Sequence, residues 1–528
     1  MTPLQQQLQT TEKGRLMIGQ SDIAVQGIIN KMYEYNEYQL FWKQPAMTDV
    51  LLTAIRHSET LGLAPNDYHL DALSKRLEIG LMDKLLGASE QEQAQLDILL
   101  TDAVLRLAYH LNFGKVVPDT LDPDWNLRRE FFTHDPVAKM VYTLRSAEKL
   151  DKFLETSINT GLVHNNLVAA LAKYKKIQAQ GGWQTIASGK TLKPGMSDER
   201  VPAIKARLQA SGDLEKAPIP VDDFSYDSTT EEAVKRIQYR HNLDVDGVIG
   251  KGTLQQLNVT VAQRIDSLRV NLERWRWIAK NLDDEFVLVN IAGFKVYYVK
   301  NNKLVWESKA QVGTDYRKTP VFRDEISYLV FNPTWTVPPT ILRKDILPKL
   351  RKNPAYLKNK NMNVVDAKGK IIDASGIDWS NMTAGNFPYM IRQEPGPNNA
   401  LGRVKIMFPN KHLVYLHDTP SKSKFNRTQR AFSSGCIRIE NPFELVEMLL
   451  KDSQNWNQSR FDTILAGGKL QNVTLPVKIP VLLLYFTVEV DTEGRVIFYK
   501  DIYKRDDKVI KALDAPFHFV LPEMNNAS

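Results

Sequence analysis

Near Phe286 the hydrophobic pattern of this chain changes period. Before it, apolar residues recur at three- and four-residue steps; after it, short β-branched and aromatic runs alternate with turn signals. A chain with such a switch cannot be one kind of layer throughout, because helices and strands bury their apolar faces at different spacings. With 528 residues it is also too long for a single core; ordinary domain sizes imply about three or four. Hydrophobic residues make up 43%, enough to fill several cores, so a disordered chain is not expected.

The first segment, 1–188, reads as a helical domain. The stretch 96–111 (LDILLTDAVLRLAYHL) is apolar at helical steps, as a core helix requires. Leu52, Ile55, Leu61 and Leu63 sit near helical spacing, and Gly62 to Asn66 interrupts them. Tyr33, Tyr35, Tyr38, Phe41 and Trp42 form an aromatic group best explained as core, given the area such rings bury. No chemistry is legible here.

The second segment, 189–260, reads as three short helices. Lys193-Pro194-Gly195 is a turn, Val201, Ile204 and Leu208 give one helical face, and Ala233, Val234 and Ile237 give a second. Asp246-Gly247 is a tight turn, after which 253–258 makes a short third helix. Such a domain is small and marginal. It resembles the type 1 peptidoglycan-binding domain in Pro194-Gly195, Val201, Leu208-Gln209, Ala233-Val234, Gln238 and the run DGVIGKGTLQQLN (246–258). Ile237 stands where that family usually has Phe, and 216–225 is a long insert. Keeping the fold does not by itself imply keeping the glycan ligand.

From Phe286 onward strands dominate. Runs at 286–291 and 295–299, with Asn301-Asn302 before 304–306, predict a β-hairpin. Further strands are expected at 328–331, 404–408 and 413–416, and a helix at 443–450. The mainly-β domain, 281–470, is expected to be a sandwich or a barrel-like sheet pair. Its internal stretch 341–403 is basic, polar and too long for a plain loop, so it reads as a functional insertion. A C-terminal strand extension, 471–528, carries a hairpin turn at Glu493-Gly494 and ends in a loose tail. The fold class is thus multidomain α+β.

The net charge is +8, which favours anionic partners. The densest basic run lies between Arg343 and Lys360, with Asp345 its single acid; a solvated face explains it equally well. Nucleic acid is not expected, because no zinc-finger, RNA-binding or zipper signature is present. No run is long and apolar enough to span a membrane, and Met1 to Gln20 is polar, with no apolar signal segment. Cys436 is the only cysteine, so no intramolecular disulfide can form; a single thiol suits an oxidising compartment.

That cysteine lies in the sharpest stretch of the chain, 415–441 (YLHDTPSKSKFNRTQRAFSSGCIRIEN). His417 precedes it across a polar, basic loop. A thiol needs a base to become a good nucleophile, and an imidazole can serve. Gly435 permits a tight turn whose amides could face an oxyanion, and Arg438 adds positive potential that would favour thiolate. A lone cysteine is more often a small buried hydrophobe, and a lone histidine more often structural. The flanking S-x-G-C-x-R pattern shifts that balance.

This pattern closely resembles the signature of L,D-transpeptidases. By resemblance, Cys436 is the nucleophile and His417 the base, with Ser433, Gly435 and Arg438 in the remaining fixed places. Asp418 stands where Gly is common, and Ser434 where His is common. Asp418 would orient His417 by its carbonyl or by its carboxylate, and the sequence leaves both open. Tyr415 would help the oxyanion amides, and Trp335 and Asn441 would touch substrate. Val312-Gly313, Thr319-Pro320 and 332–335 (NPTW) also match.

The order of parts is similar to the large periplasmic Gram-negative members, in which the insertion caps the substrate. The resemblance implies 3-3 cross-linking of peptidoglycan stem peptides through a thioester, with no cofactor and no metal. It also implies a periplasmic place, with a membrane anchor or secretion in the full-length form, cell-wall synthesis partners, and inactivation by carbapenems. Two rivals fit the same residues: a cysteine peptidase or carboxypeptidase hydrolysing the stems, and a non-catalytic wall-binding scaffold.

Overall fold

The computed structural model describes residues 1–9, 16–77, 89–127, 134–220 and 223–517. The tail expected at the C-terminus mostly lies outside them. The chain divides into two compact units. One comprises Met1–Pro123, Leu127–Asn281 and Thr487–Ser528; the other comprises Asp124–Asn126 and Leu282–Phe486.

The first unit is helical, with a long central helix at Glu90–Phe113. Ser89 and Glu92 form a reciprocal capping box at its start, satisfying amides that the first turn leaves open. Its buried Asp97 accepts from the Tyr33 hydroxyl at 2.5 Å and from the amides of Phe41 at 3.0 Å and Trp42 at 2.9 Å. One carboxylate therefore pins the aromatic segment into the core, where Tyr33, Phe41 and Trp42 are buried as expected.

Helices Val201–Ser211, Ser228–Arg240 and Lys251–Leu257 form the three-helix module around Val201, Ile204, Leu208, Ala233, Val234 and Ile237. Gly247 turns the chain at φ +69°, a conformation that favours glycine. The Gln238 amide holds that turn: Nε2 donates to Asp246 Oδ1 at 2.8 Å and Val248 O at 3.0 Å, and Oε1 accepts from Gly247 N at 2.8 Å. Helices Leu162–Ala179 and Val261–Ile278 share a core with the hairpin Val488–Val490 and Val496–Phe498.

The second unit is built on nine strands: β1 (Glu285–Asn290), β2 (Lys295–Lys300), β3 (Lys303–Gly313), β4 (Phe322–Phe331), β5 (Val404–Met407), β6 (Leu416–His417), β7 (Ala431–Ser433), β8 (Ile437–Ile439) and β9 (Gln471–Leu484). Asn301 and Asn302 both have positive φ, as a two-residue turn between twisted strands demands. Pairing runs β3-β8-β6-β5-β4-β9-β1-β2 and returns to β3, because β2 also pairs with β3. The sheet thus closes on itself, which agrees with the barrel-like expectation; β7 adds to β3.

β9 is part of this ring, parallel to β1 and antiparallel to β4. The segment expected as one extension, 471–528, is therefore divided: its first strand completes the sheet, and its later hairpin belongs to the helical unit.

The insertion is a small folded body rather than a loop. Short strands Trp335–Thr336, Met362–Val365, Ile371–Ile372 and Met390–Gln393 form a separate four-stranded sheet. Leu342, Ile346, Leu347, Leu350, Trp379, Phe387 and Ile391 form its own core. It runs from about 335 to 393, shifted toward the N-terminus from the expected 341–403.

Candidate active site

The ends of β5, β6 and β8 build the site. β6 is only two residues long and lies between the other two. Its His417 stands opposite Lys405 of β5 and Arg438 of β8, and directly paired residues point to the same face. The imidazole is buried and flanked by cations. Burial first, then the Arg438 charge, lowers its pKa to about 3. It is therefore neutral at ordinary pH.

His417 Nδ1 donates to the backbone carbonyl of Asp418 at 2.5 Å. The Leu401 backbone is a second hydrogen-bond partner of the ring, so two carbonyls fix its orientation. The Asp418 carboxylate faces elsewhere: Oδ2 accepts from Arg403 N at 2.9 Å, and Oδ1 pairs with Lys422 Nζ at 2.8 Å. Of the two ways Asp418 could orient the histidine, the geometry has the carbonyl. Gly402 makes room for this arrangement. Its φ is +64°, and a Cβ there would fall 2.4 Å from Asp418 Oδ2.

Cys436 follows a turn fixed by Ser433 and Thr319. Ser433 Oγ donates to Cys436 O at 2.5 Å and accepts from Gly435 N at 3.1 Å. Thr319 Oγ1 donates to Gly435 O at 2.8 Å and accepts from Gly313 N at 2.9 Å. Gly435 has φ +120°, in the region that disfavours a side chain. The expected turn is present, but the Gly435 amide is already engaged by Ser433. The donors that face the sulfur are the Tyr415 amide and hydroxyl.

Among the described residues, the hydrogen-bond partners of the thiol are Leu413 O, at 3.8 Å from Sγ, and Tyr415; His417 is not one of them. The rings of Tyr415 and His417 meet edge-on at 5.6 Å. Burial raises the thiol pKa above its ordinary value, although Tyr415, Lys405 and Arg438 all pull it down. The resting pair is therefore neutral thiol and neutral imidazole, not the thiolate that Arg438 alone would favour.

Ser434 is exposed, and its Oγ accepts from Arg317 Nη1 at 2.8 Å. The same Nη1 donates to Asp345 of the insertion at 3.0 Å. Arg317 thus ties the insertion to the residue two before Cys436. Trp335 is half-buried against the core of the insertion. Asn441 is exposed at the head of the helix Pro442–Leu450, and its amide donates to Ser308 Oγ at 3.3 Å.

Sequence reasoning named no role for Lys405, Thr319, Gly402 or Arg317. Lys405 is held over the Tyr415 ring, Nζ 4.2 Å from its centroid, and burial lowers its pKa. The only signal was a lysine inside an apolar strand, VKIM (404–407).

Cys436 and His417 thus stand at neighbouring strand ends of a closed sheet, and Arg317 joins the turn before Cys436 to the insertion. Comparison with known families adds what the chain is similar to. Residues 284–477 match the L,D-transpeptidase catalytic domain, 28–163 a scaffold domain, and 197–257 a putative peptidoglycan-binding domain. The chain is 35% identical over 257 residues to a putative L,D-transpeptidase of Haemophilus influenzae strain Rd, covering 49% of this chain and 50% of the relative. It thus spans about half the length of that relative.

Among solved structures, an L,D-transpeptidase fragment from Xylanimonas cellulosilytica is 14% identical with a TM-score of 0.16, covering 56% of this chain and 99% of that one. A fused zinc-dependent amidase/peptidase/peptidoglycan-binding protein from Clostridium acetobutylicum is likewise 14% identical, with a TM-score of 0.16, and covers 56% and 100%.

Proposed function

We propose that the protein is a periplasmic L,D-transpeptidase that forms 3-3 cross-links between peptidoglycan stems. The observation that carries this is the match of 284–477 to the L,D-transpeptidase catalytic domain, a span that contains both His417 and Cys436. The neighbouring peptidoglycan-binding match supplies a reason for the polymer substrate.

In this reading Cys436 Sγ attacks the carbonyl of the third stem residue, meso-diaminopimelate, at its bond to D-Ala. His417 takes the thiol proton as the C–S bond forms and returns it to the departing amine of D-Ala. A thioester remains. The side-chain amine of a second stem then attacks it, His417 accepts that amine's proton, and the thiol is restored. A low imidazole pKa suits a ring that must begin neutral. Tyr415, whose amide and hydroxyl reach the sulfur, would stabilise the thiolate as its proton leaves. Carbapenems would acylate the same sulfur.

The test is product analysis with a disaccharide-tetrapeptide donor and an amine-bearing acceptor. Cross-linked dimer is expected. Hydrolysed stems alone would replace this reading with a carboxypeptidase, and an unmodified substrate with the wall-binding scaffold.

A further inference from the structure

The loop from Asp418 to Gly435 joins His417 to Cys436, and two of its four cations are already engaged. Lys422 pairs with Asp418 and donates to Glu440 O at 2.5 Å. Arg430 is buried and donates to Ala310 O at 3.1 Å, Arg427 O at 2.7 Å and Phe294 O at 3.0 Å. Two cations differ. Among the described residues, Lys424 and Arg427 have no carboxylate partner.

These two line one concave site of about 520 Å³ together with Ser423 and Phe432. No acid lines it. Phe432 is 40% exposed, unusual for a ring on a strand, and Lys424 Nζ lies 5.1 Å from its centroid. An exposed ring beside two cations without a carboxylate partner and a hydroxyl is suited to an anion carried on an apolar stem. The floor of the site is β7, which runs directly into Ser433, Ser434, Gly435 and Cys436.

We infer that the concave site lined by Ser423, Lys424, Arg427 and Phe432 is a subsite for a carboxylate of a peptidoglycan stem peptide. It rests on the transpeptidase reading above. The guanidinium of Arg427 has the fork geometry that binds a carboxylate through two N–H groups, and Lys424 adds a second charge. The Phe432 face packs the aliphatic part of the peptide. A stem peptide carries both features, an acid group and a short aliphatic backbone. The carboxylate could come from the donor or from the acceptor stem, and both present the same chemistry.

The test is equilibrium binding of a free stem tetrapeptide to the full chain carrying Cys436→Ala, which removes turnover. The same measurement is made with Lys424→Glu and Arg427→Glu added, and with a probe whose carboxylates are amidated. Charge reversal is expected to raise the Kd at least tenfold. Amidation is expected to weaken binding to the intact site but not to the reversed one. If reversal makes the fold melt early, Lys424→Gln with Arg427→Gln replaces it, with a smaller rise expected.

An unchanged Kd, equal loss on amidation in both proteins, or no binding to the intact site overturns the proposal. In the active protein, a raised KM for the donor or for the acceptor assigns the stem that the site takes, and both KM values unchanged also overturns it. Absence of any cross-linked product from the unaltered protein, with binding behaving as expected, would instead strike the transpeptidase reading.

Discussion

Replacing Asp418 with alanine separates its two groups, because the substitution removes the carboxylate and keeps the carbonyl. The carbonyl holds His417 Nδ1 at 2.5 Å, while the carboxylate holds Arg403 N and Lys422 Nζ. Losing a hydrogen bond to a charged group costs about 1.5–3 kcal/mol. The Lys422 pair is half-exposed, so its share is at most about 1 kcal/mol. Asp418→Ala is therefore expected to destabilise the catalytic domain by about 2–3 kcal/mol, which at this size lowers its Tm by about 4–12 °C.

The chemistry should suffer much less. Below the new Tm, thioester formation with a stem tetrapeptide, followed by intact-protein mass, is expected to slow by less than about tenfold. His417→Ala removes the base of the proposed reaction and should slow it by about 10²–10⁴-fold. If folded Asp418→Ala lost as much rate as His417→Ala, the carboxylate would be the orienting group and the reasoning would fail. A melting curve identical to the unaltered protein would refute the stability argument.

Three further outcomes are expected. Alkylation of Cys436 by iodoacetamide should keep rising with pH past the ordinary thiol range, since burial holds the thiol protonated; a rate plateau near neutral pH would show a resting thiolate. Gly402→Ala should cost at least about 2 kcal/mol, from the left-handed backbone together with a Cβ pressed against Asp418; an unchanged melt would mean that Asp418 moves freely. Asp97 has a folded pKa raised to about 6, chiefly by burial, so the folded helical unit holds its proton where the unfolded chain has lost it. Its stabilising contribution should fall as pH rises from about 4 to about 6, and Asp97→Asn should remove that slope in urea melts taken across this range.

Cys436 and His417 could be proposed as a pair from the sequence because their motif is compact: His417, Gly435, Cys436 and Arg438 lie within one short stretch of chain. What surrounds the pair was not. Lys405 alternates with apolar neighbours and reads as an outward-facing residue of a half-buried strand. Only the register that sets it opposite His417 brings it beside the buried imidazole, and register between distant strands leaves no local trace. The two groups of Asp418 belong to one letter, so no reading of letters could choose between them. The thiolate expectation weighed the nearby charges but not their burial, which is a property of packing. The insertion reads as basic and polar because its core residues are spread widely between charged ones, from Val337 to Ile391.

The division of the chain has a consequence for how it is made. The catalytic unit occupies the interior of the sequence, and the helical unit is written on either side of it. Thr487 hydrogen-bonds Asn271, Asp506 pairs with Arg274 at 2.7 Å, and Lys115 donates to Leu513 O at 2.7 Å. These helical-unit partners are separated by more than two hundred residues. During synthesis the unit that starts first must therefore wait with an open seam along Leu268, Leu272 and Tyr174 until the hairpin of Val488, Val496 and Phe498 emerges. The catalytic sheet, closed by β9, can finish before it. The oldest part of the chain to appear is the last to be sealed.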